Sequence, residues 1–141
     1  MPINFFAEEV PFSLKEKRKR KDWLKKIAES ENHKIEDLNY VFCSDEYLLN
    51  INQEYLDHDT YTDIITFDNS EEENIIEGDI FISIERVKEN SATHKVKEER
   101  ELSRVISHGL FHLLGYKDKT KAEAIMMRSK EEFAIKLFEE I

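Results

Sequence analysis

The chain has 141 residues, 40% of them hydrophobic and 11% aromatic, which is enough to bury one core but hardly two, so one domain spanning 1–141 is expected. Only 3 Gly and 2 Pro accompany 37% charged residues, a composition that fits a helix-rich globular protein and excludes linkers, repeat arrays and disordered tails. A formal net charge of −10 argues against general nucleic-acid affinity, and no DNA partner is expected, because neutralising phosphates needs concentrated Lys and Arg.

The opening residues Met1 to Phe6 lack a basic segment followed by a long apolar core, and no stretch approaches a membrane-spanning length. A soluble, unexported, cytoplasmic protein with no membrane partner is therefore expected. Residues 3 to 10 read as a first strand, after which Pro11 and Ser13 open a helix carrying Leu14, Trp23, Leu24 and Ile27 and ending near Asn32. This helix also carries Lys15, Lys17, Arg18, Lys19, Arg20, Lys21, Lys25 and Lys26, a local basic surface that is either a solvated face or a phosphate-contacting patch.

Leu38 to Ser44 alternates as a strand, and Asp45 is a natural N-cap for a short helix through Tyr55. The single Cys43 has no partner for a disulfide or a thiolate metal site; it agrees with a reducing compartment and should pack as a small apolar residue. Thr62 to Asp68 and Asp79 to Ile84, the latter preceded by Gly78, are two further strands that can pair as a hairpin. A long helix begins at about Lys97, since Leu102, Val105, Ile106, Gly109, Leu110 and Leu113 recur on one stripe, and Gly115 can terminate it. Thr120 and Glu123 form a capping-box pattern for a last helix with Ala122, Ile125, Met126, Phe133, Leu137 and Ile141 on a common side. The expected fold is α+β: a small mixed four-stranded sheet packed with about five helices, with a metal site at the end of a central helix.

The chemistry concentrates in Ser107-His108-Gly109-Leu110-Phe111-His112-Leu113-Leu114-Gly115-Tyr116-Lys117-Asp118. Four residues apart on a helix, the imidazoles of His108 and His112 project from neighbouring turns, the spacing that lets two nitrogens reach one tetrahedral ion. If Gly115 turns left-handed, the chain folds back and carries the Asp118 carboxylate towards both rings as a third ligand, leaving a fourth position for water. The alternative for the two His is that of half-buried helix residues with local hydrogen bonds. Such an ion lowers the pKa of a bound water to about 7 and polarises a phosphoryl oxygen. A peptidase of the H-E-x-x-H type is disfavoured, because Gly109 stands where the Glu would be.

This segment resembles the signature of the YbeY family of metal-dependent endoribonucleases, H-G-x-L-H-L-x-G-Y-D-H. His108, Gly109, His112, Leu113, Gly115 and Tyr116 match; Phe111 stands for Leu, Lys117 for Asp, and Asp118 for the third His. Asn52, Tyr55, Asp59, Thr62, Asp63 and Phe67, and then Gly78-Asp79-Ile80, look like two further blocks of the same family. The resemblance implies a zinc site of His108, His112 and Asp118 and cleavage of single-stranded RNA in ribosomal RNA maturation and ribosome quality control. It implies ribosomal RNA and the ribosome or its small-subunit proteins as partners. Leu56 follows Tyr55 where the family carries an Arg, and His58 is the candidate replacement as the catalytic group. Among the cations Arg86 and Arg104, the second shares the face of His108 and is expected either to contact phosphate or to pair with Glu101 or another acid. Asp63 and Asp79 are expected to be supporting or structural acids. Two other readings use the same residues: a zinc hydrolase of another ester or amide, and a ribosome-associated binding protein whose metal only staples the turn between the last two helices.

Overall fold

The computed structural model describes residues 2–56 and 62–141. The elements run β1 (Ile3–Glu8), α1 (Lys17–Ser30), β2 (Lys34–Cys43), α2 (Asp45–Leu56), β3 (Ile64–Asp68), β4 (Ile75–Ser83), α3 (Ile84–His94), α4 (Glu98–Leu113) and α5 (Lys121–Glu140). The strands form one sheet in the order β1-β2-β4-β3, with β1/β2 and β2/β4 parallel and β3/β4 antiparallel. The expected α+β architecture and the β3/β4 hairpin are thus borne out. No helix among the described residues is long and apolar enough to cross a membrane.

Alternation along β2 and β4 sends Leu38, Tyr40, Phe42, Ile76, Ile80 and Ile82 to one face, where they meet Trp23, Leu24 and Ile27 of α1 and Leu102, Val105, Ile106, Leu110 and Phe111 of α4. Two buried polar side chains fix how the helices lie there. The Tyr40 hydroxyl donates to the Ile106 carbonyl at 2.8 Å, and the Trp23 indole N–H donates to the Ala134 carbonyl at 2.8 Å. Each satisfied group spares a desolvation cost of about 1–3 kcal/mol. Gly109 lets α4 lie close on the sheet, since a Cβ there would sit 3.0 Å from methyl groups of both Ile64 and Ile80. The other face is partly covered by α2, whose Leu48 and Ile51 pack with Cys43 and Ile65. Burial pushes the Cys43 thiol up to about 12, so it behaves as the inert apolar residue its isolation predicts.

Several boundaries depart from the sequence expectation. Helix α1 starts at Lys17, not at Pro11 or Ser13; Leu14 is buried, but from the segment ahead of the helix. Arg20 does not join the basic surface. It is buried, its guanidinium donating to the Lys15 carbonyl, Ser103 Oγ and Glu99 Oε2 and lying 4.6 Å from the Phe138 ring centre. Strand β2 begins four residues earlier than expected because it also pairs with the start of β4. The cap of α2 is Ser44, whose Oγ accepts from the Tyr47 N–H, while Asp45 turns aside to accept from Ser83 and Arg86. Helix α3, capped by Ser83, lies where the sequence reading placed no element.

The largest correction concerns α5. Ile125, Met126 and Phe133 are 63%, 50% and 47% exposed, and Ile141 is exposed as well. The buried stripe is instead Met127, Glu131, Ala134 and Ile135, with Phe138 stacked edge-on against Trp23. The rotation has a polar cause: this orientation is the one that offers Ala134 to the Trp23 indole and Glu131 to His108 and Arg104.

Candidate metal centre

Helix α4 ends in a turn that folds the chain back over its own last carbonyls. Gly115 adopts φ +104°, its N–H donates to the His112 carbonyl, and the Tyr116 N–H donates to the Phe111 carbonyl, both at 3.0 Å. This is the Schellman pattern, completed by edge-on packing of the Tyr116 ring against Phe111. The Tyr116 hydroxyl then donates to Glu31 Oε1 at 2.9 Å, while Lys130 donates to Glu31 Oε2 at 2.8 Å, so the end of α1 and the first half of α5 hold the same turn.

The consequence is convergence of three donors. Asp118 Oδ2 lies 3.3 Å from His108 Nε2 and 3.6 Å from His112 Nε2, and one ligand atom from each residue falls within 4.8 Å of the other two. Bonds of about 2.0–2.1 Å at tetrahedral angles separate neighbouring ligand atoms by about 3.3–3.4 Å. The two distances to Asp118 are close to that spacing and all three donors lie within 4.8 Å of one another, so the donor set suits a small tetrahedral dication. The rings are partly buried and the carboxylate is more exposed, which leaves the site open on the Asp118 side.

Hydrogen bonds at the far nitrogens orient both rings. His112 Nδ1 lies 3.0 Å from the Tyr116 carbonyl and His108 Nδ1 lies 2.5 Å from Glu131 Oε2; with acceptors there, Nδ1 carries the proton and Nε2 keeps its lone pair for a metal. Burial, followed by the charge of His108, holds the His112 pKa below an imidazole's ordinary value despite the opposing pull of Asp118, favouring the neutral ligand form.

Of the cations considered from sequence, Arg104 donates twice to Glu101 from Nε and once from Nη2, reaches Glu131 Oε1 at 3.3 Å, and lies 3.9 Å from Asp63 Oδ2. Burial alone would lower its pKa, but the bonds and charges of Glu101 and Glu131 outweigh it and keep the guanidinium charged. Arg86 is engaged by Asp45 and Glu89. Asp79 lies on the opposite face of the sheet, accepting from Asn39 and Asn69. His58 and Asp59 lie outside the described residues, and of Leu56 only the helical backbone is described. The sequence reading missed Glu131, although a signal existed: a carboxylate interrupts the stripe formed by Met127, Ala134 and Ile135.

A mixed α/β layer with two imidazoles on a central helix and a carboxylate returned by a glycine turn defines a candidate mononuclear metal-binding protein. The comparisons narrow this class. A family model described as Endoribonuclease YbeY matches residues 3–139. Proteins named Endoribonuclease YbeY from Cytophaga hutchinsonii and Christiangramia forsetii are 54% identical over 135 residues and 51% identical over 136, each match covering 96% of this chain and 94% of the relative. A solution structure of a Thermotoga maritima protein superposes with a TM-score of 0.66 at 26% identity, covering 96% of this chain and 88% of the other. The chain belongs to the YbeY family.

Proposed function

We propose that this chain is a zinc-dependent, single-strand-specific endoribonuclease that acts in ribosomal RNA maturation and ribosome quality control in the cytoplasm, with residues 1–141 as one catalytic unit. The observation that carries the reading is the meeting of one ligand atom each from His108, His112 and Asp118 within 4.8 Å of one another, in a chain whose relatives are named endoribonucleases. A dication held there supplies Lewis acidity toward a phosphoryl oxygen and eases deprotonation of water. Zinc accepts this mixture of imidazole and carboxylate, as do other divalent transition metals.

The residues around the donors divide the remaining work. His108 and His112, with Nδ1 engaged by Glu131 and the Tyr116 carbonyl respectively, turn Nε2 toward the ion. Lys117 and Lys119 flank Asp118 on the exposed turn and provide local positive charge toward a phosphodiester backbone, which an acidic protein otherwise repels. In this reading Arg104 serves catalysis by holding the carboxylates behind His108, and His58 handles the proton of the attacking or leaving oxygen. The RNA belongs to the ribosome, and small-subunit proteins are the partners that present it.

The test joins metal analysis of protein purified without a histidine tag to cleavage of a single-stranded RNA. One equivalent of ion and cleavage by the wild type, with both abolished in His112→Ala while the far-ultraviolet circular dichroism is retained, are expected. An ion bound at full occupancy with no cleavage of any RNA would refute the nuclease reading, and uptake of the ion by His112→Ala with wild-type affinity would refute the site.

A further inference from the structure

Glu131 is a carboxylate inside the protein. It is 2% exposed, it stands on the buried stripe of α5, and both of its oxygens are used: Oε2 against His108 Nδ1 and Oε1 against Arg104 Nη1. A buried carboxylate costs free energy unless it is paired and hydrogen-bonded. Apolar residues at this position would have extended the contact that Met127, Ala134 and Ile135 make. The pairing is also specific in direction. His108 Nε2 points to Asp118 and its Nδ1 to Glu131, so the ring is held at both ends between the last helix and the turn that follows α4.

Arg104 does not make Glu131 redundant. Its guanidinium serves Glu101 as well, which is equally buried, and the other cation near Glu131, Arg128 at 3.8 Å from Oε1, is 62% exposed.

From this we propose that Glu131 is a positioning residue for the metal centre. Through its hydrogen bond it fixes the tautomer and rotation of His108 so that Nε2 faces the ion, and Arg104 in turn fixes Glu131. The inference rests on the metal-centre reading above and adds that α5 is part of the ligand-orienting apparatus. The arrangement is a carboxylate–histidine–metal relay, in which the outer carboxylate raises ligand basicity and removes rotational freedom from the ring.

Competition for zinc against a chromophoric chelator, with circular dichroism melts of the metal-free proteins, tests this in wild type, Glu131→Gln, Glu131→Ala and Glu101→Gln. Glu131→Ala is expected to weaken zinc binding by about 10–100-fold. Glu131→Gln keeps an acceptor for Nδ1–H while losing the charge, and is expected to recover part of that loss. Glu101→Gln removes the same charge from the same arginine but touches no imidazole, and is expected to lose less affinity than Glu131→Gln. Should the Ala variant fail to fold, the comparison of the two Gln variants decides. Equal affinity in wild type and both Glu131 variants, or equal losses in Glu131→Gln and Glu101→Gln, would overturn the role of Glu131 and leave the metal centre standing. A wild type that takes up no zinc would instead overturn the metal-centre reading itself.

Discussion

Gly115→Ala isolates the turn that delivers Asp118. At φ +104° the backbone is outside the region open to L side chains, yet a Cβ built there meets no atom within 4 Å, so the cost is backbone strain without a clash. Strain of this kind costs about 1–2 kcal/mol, and Ala recovers about 0.4–1 kcal/mol by restricting the unfolded chain, leaving a net loss of about 1 kcal/mol. With an unfolding entropy of about 2.1 cal/mol/K per residue over 141 residues, that loss lowers Tm by about 3 °C. Relaxation of the strain moves the segment carrying Asp118, so zinc affinity should fall as well, by more than the stability change alone requires. Gly115→Asn should lose less on both counts, because Asn tolerates positive φ better than Ala. Melts of metal-free protein and chelator competition read the two effects. An Ala variant with the wild-type Tm, or an Asn variant as damaged as Ala, would refute the argument that backbone conformation at this residue builds the site.

Thr120→Ala removes a capping box in which Thr120 Oγ1 accepts from the Glu123 N–H and Glu123 returns a bond to the Thr120 N–H; a loss of about 1 kcal/mol in denaturant unfolding is expected. Unchanged stability would show that the start of α5 is held by its packing alone. The pH dependence follows from Glu131, where burial works to raise the carboxyl but the His108 hydrogen bond and the Arg104 charge outweigh it and hold the pKa below the usual carboxylate range. With its folded pKa depressed, Glu131 contributes stability that is fully present above the ordinary carboxylate value and is lost as pH falls through the folded one. The Tm of metal-free wild type should therefore drop more steeply on acidification below about pH 4–5 than that of Glu131→Gln, and parallel curves would contradict this.

Local signals in the sequence carried much of the fold. Period-two alternation in β2 and β4, the recurrent apolar stripe of α4 and the Thr120–Glu123 cap are written in adjacent residues, because strand, helix and cap are set by contacts within a few positions. For the same reason the two imidazoles four apart and the glycine three residues before Asp118 were enough to point to a tetrahedral site. Helix α3 escaped notice because its sequence is largely polar and it stops at Lys95 in a left-handed conformation, with no glycine to mark the end.

What the chain alone left open was every choice made between distant elements. The sequence of α5 offered two apolar sides, Ile125, Met126 and Phe133 on one and Met127, Ala134 and Ile135 on the other. Tertiary structure selected the second, since only that rotation satisfies the Trp23 indole and pairs Glu131 with His108 and Arg104. Arg20 shows the same division: among its basic neighbours it reads as surface charge, and Ser103, Glu99 and Phe138, all far along the chain, make its burial possible. The sequence by itself determined which residues could bind an ion. Which acids stand behind them was decided in three dimensions, because a buried charge is stable only where partners from other segments meet it.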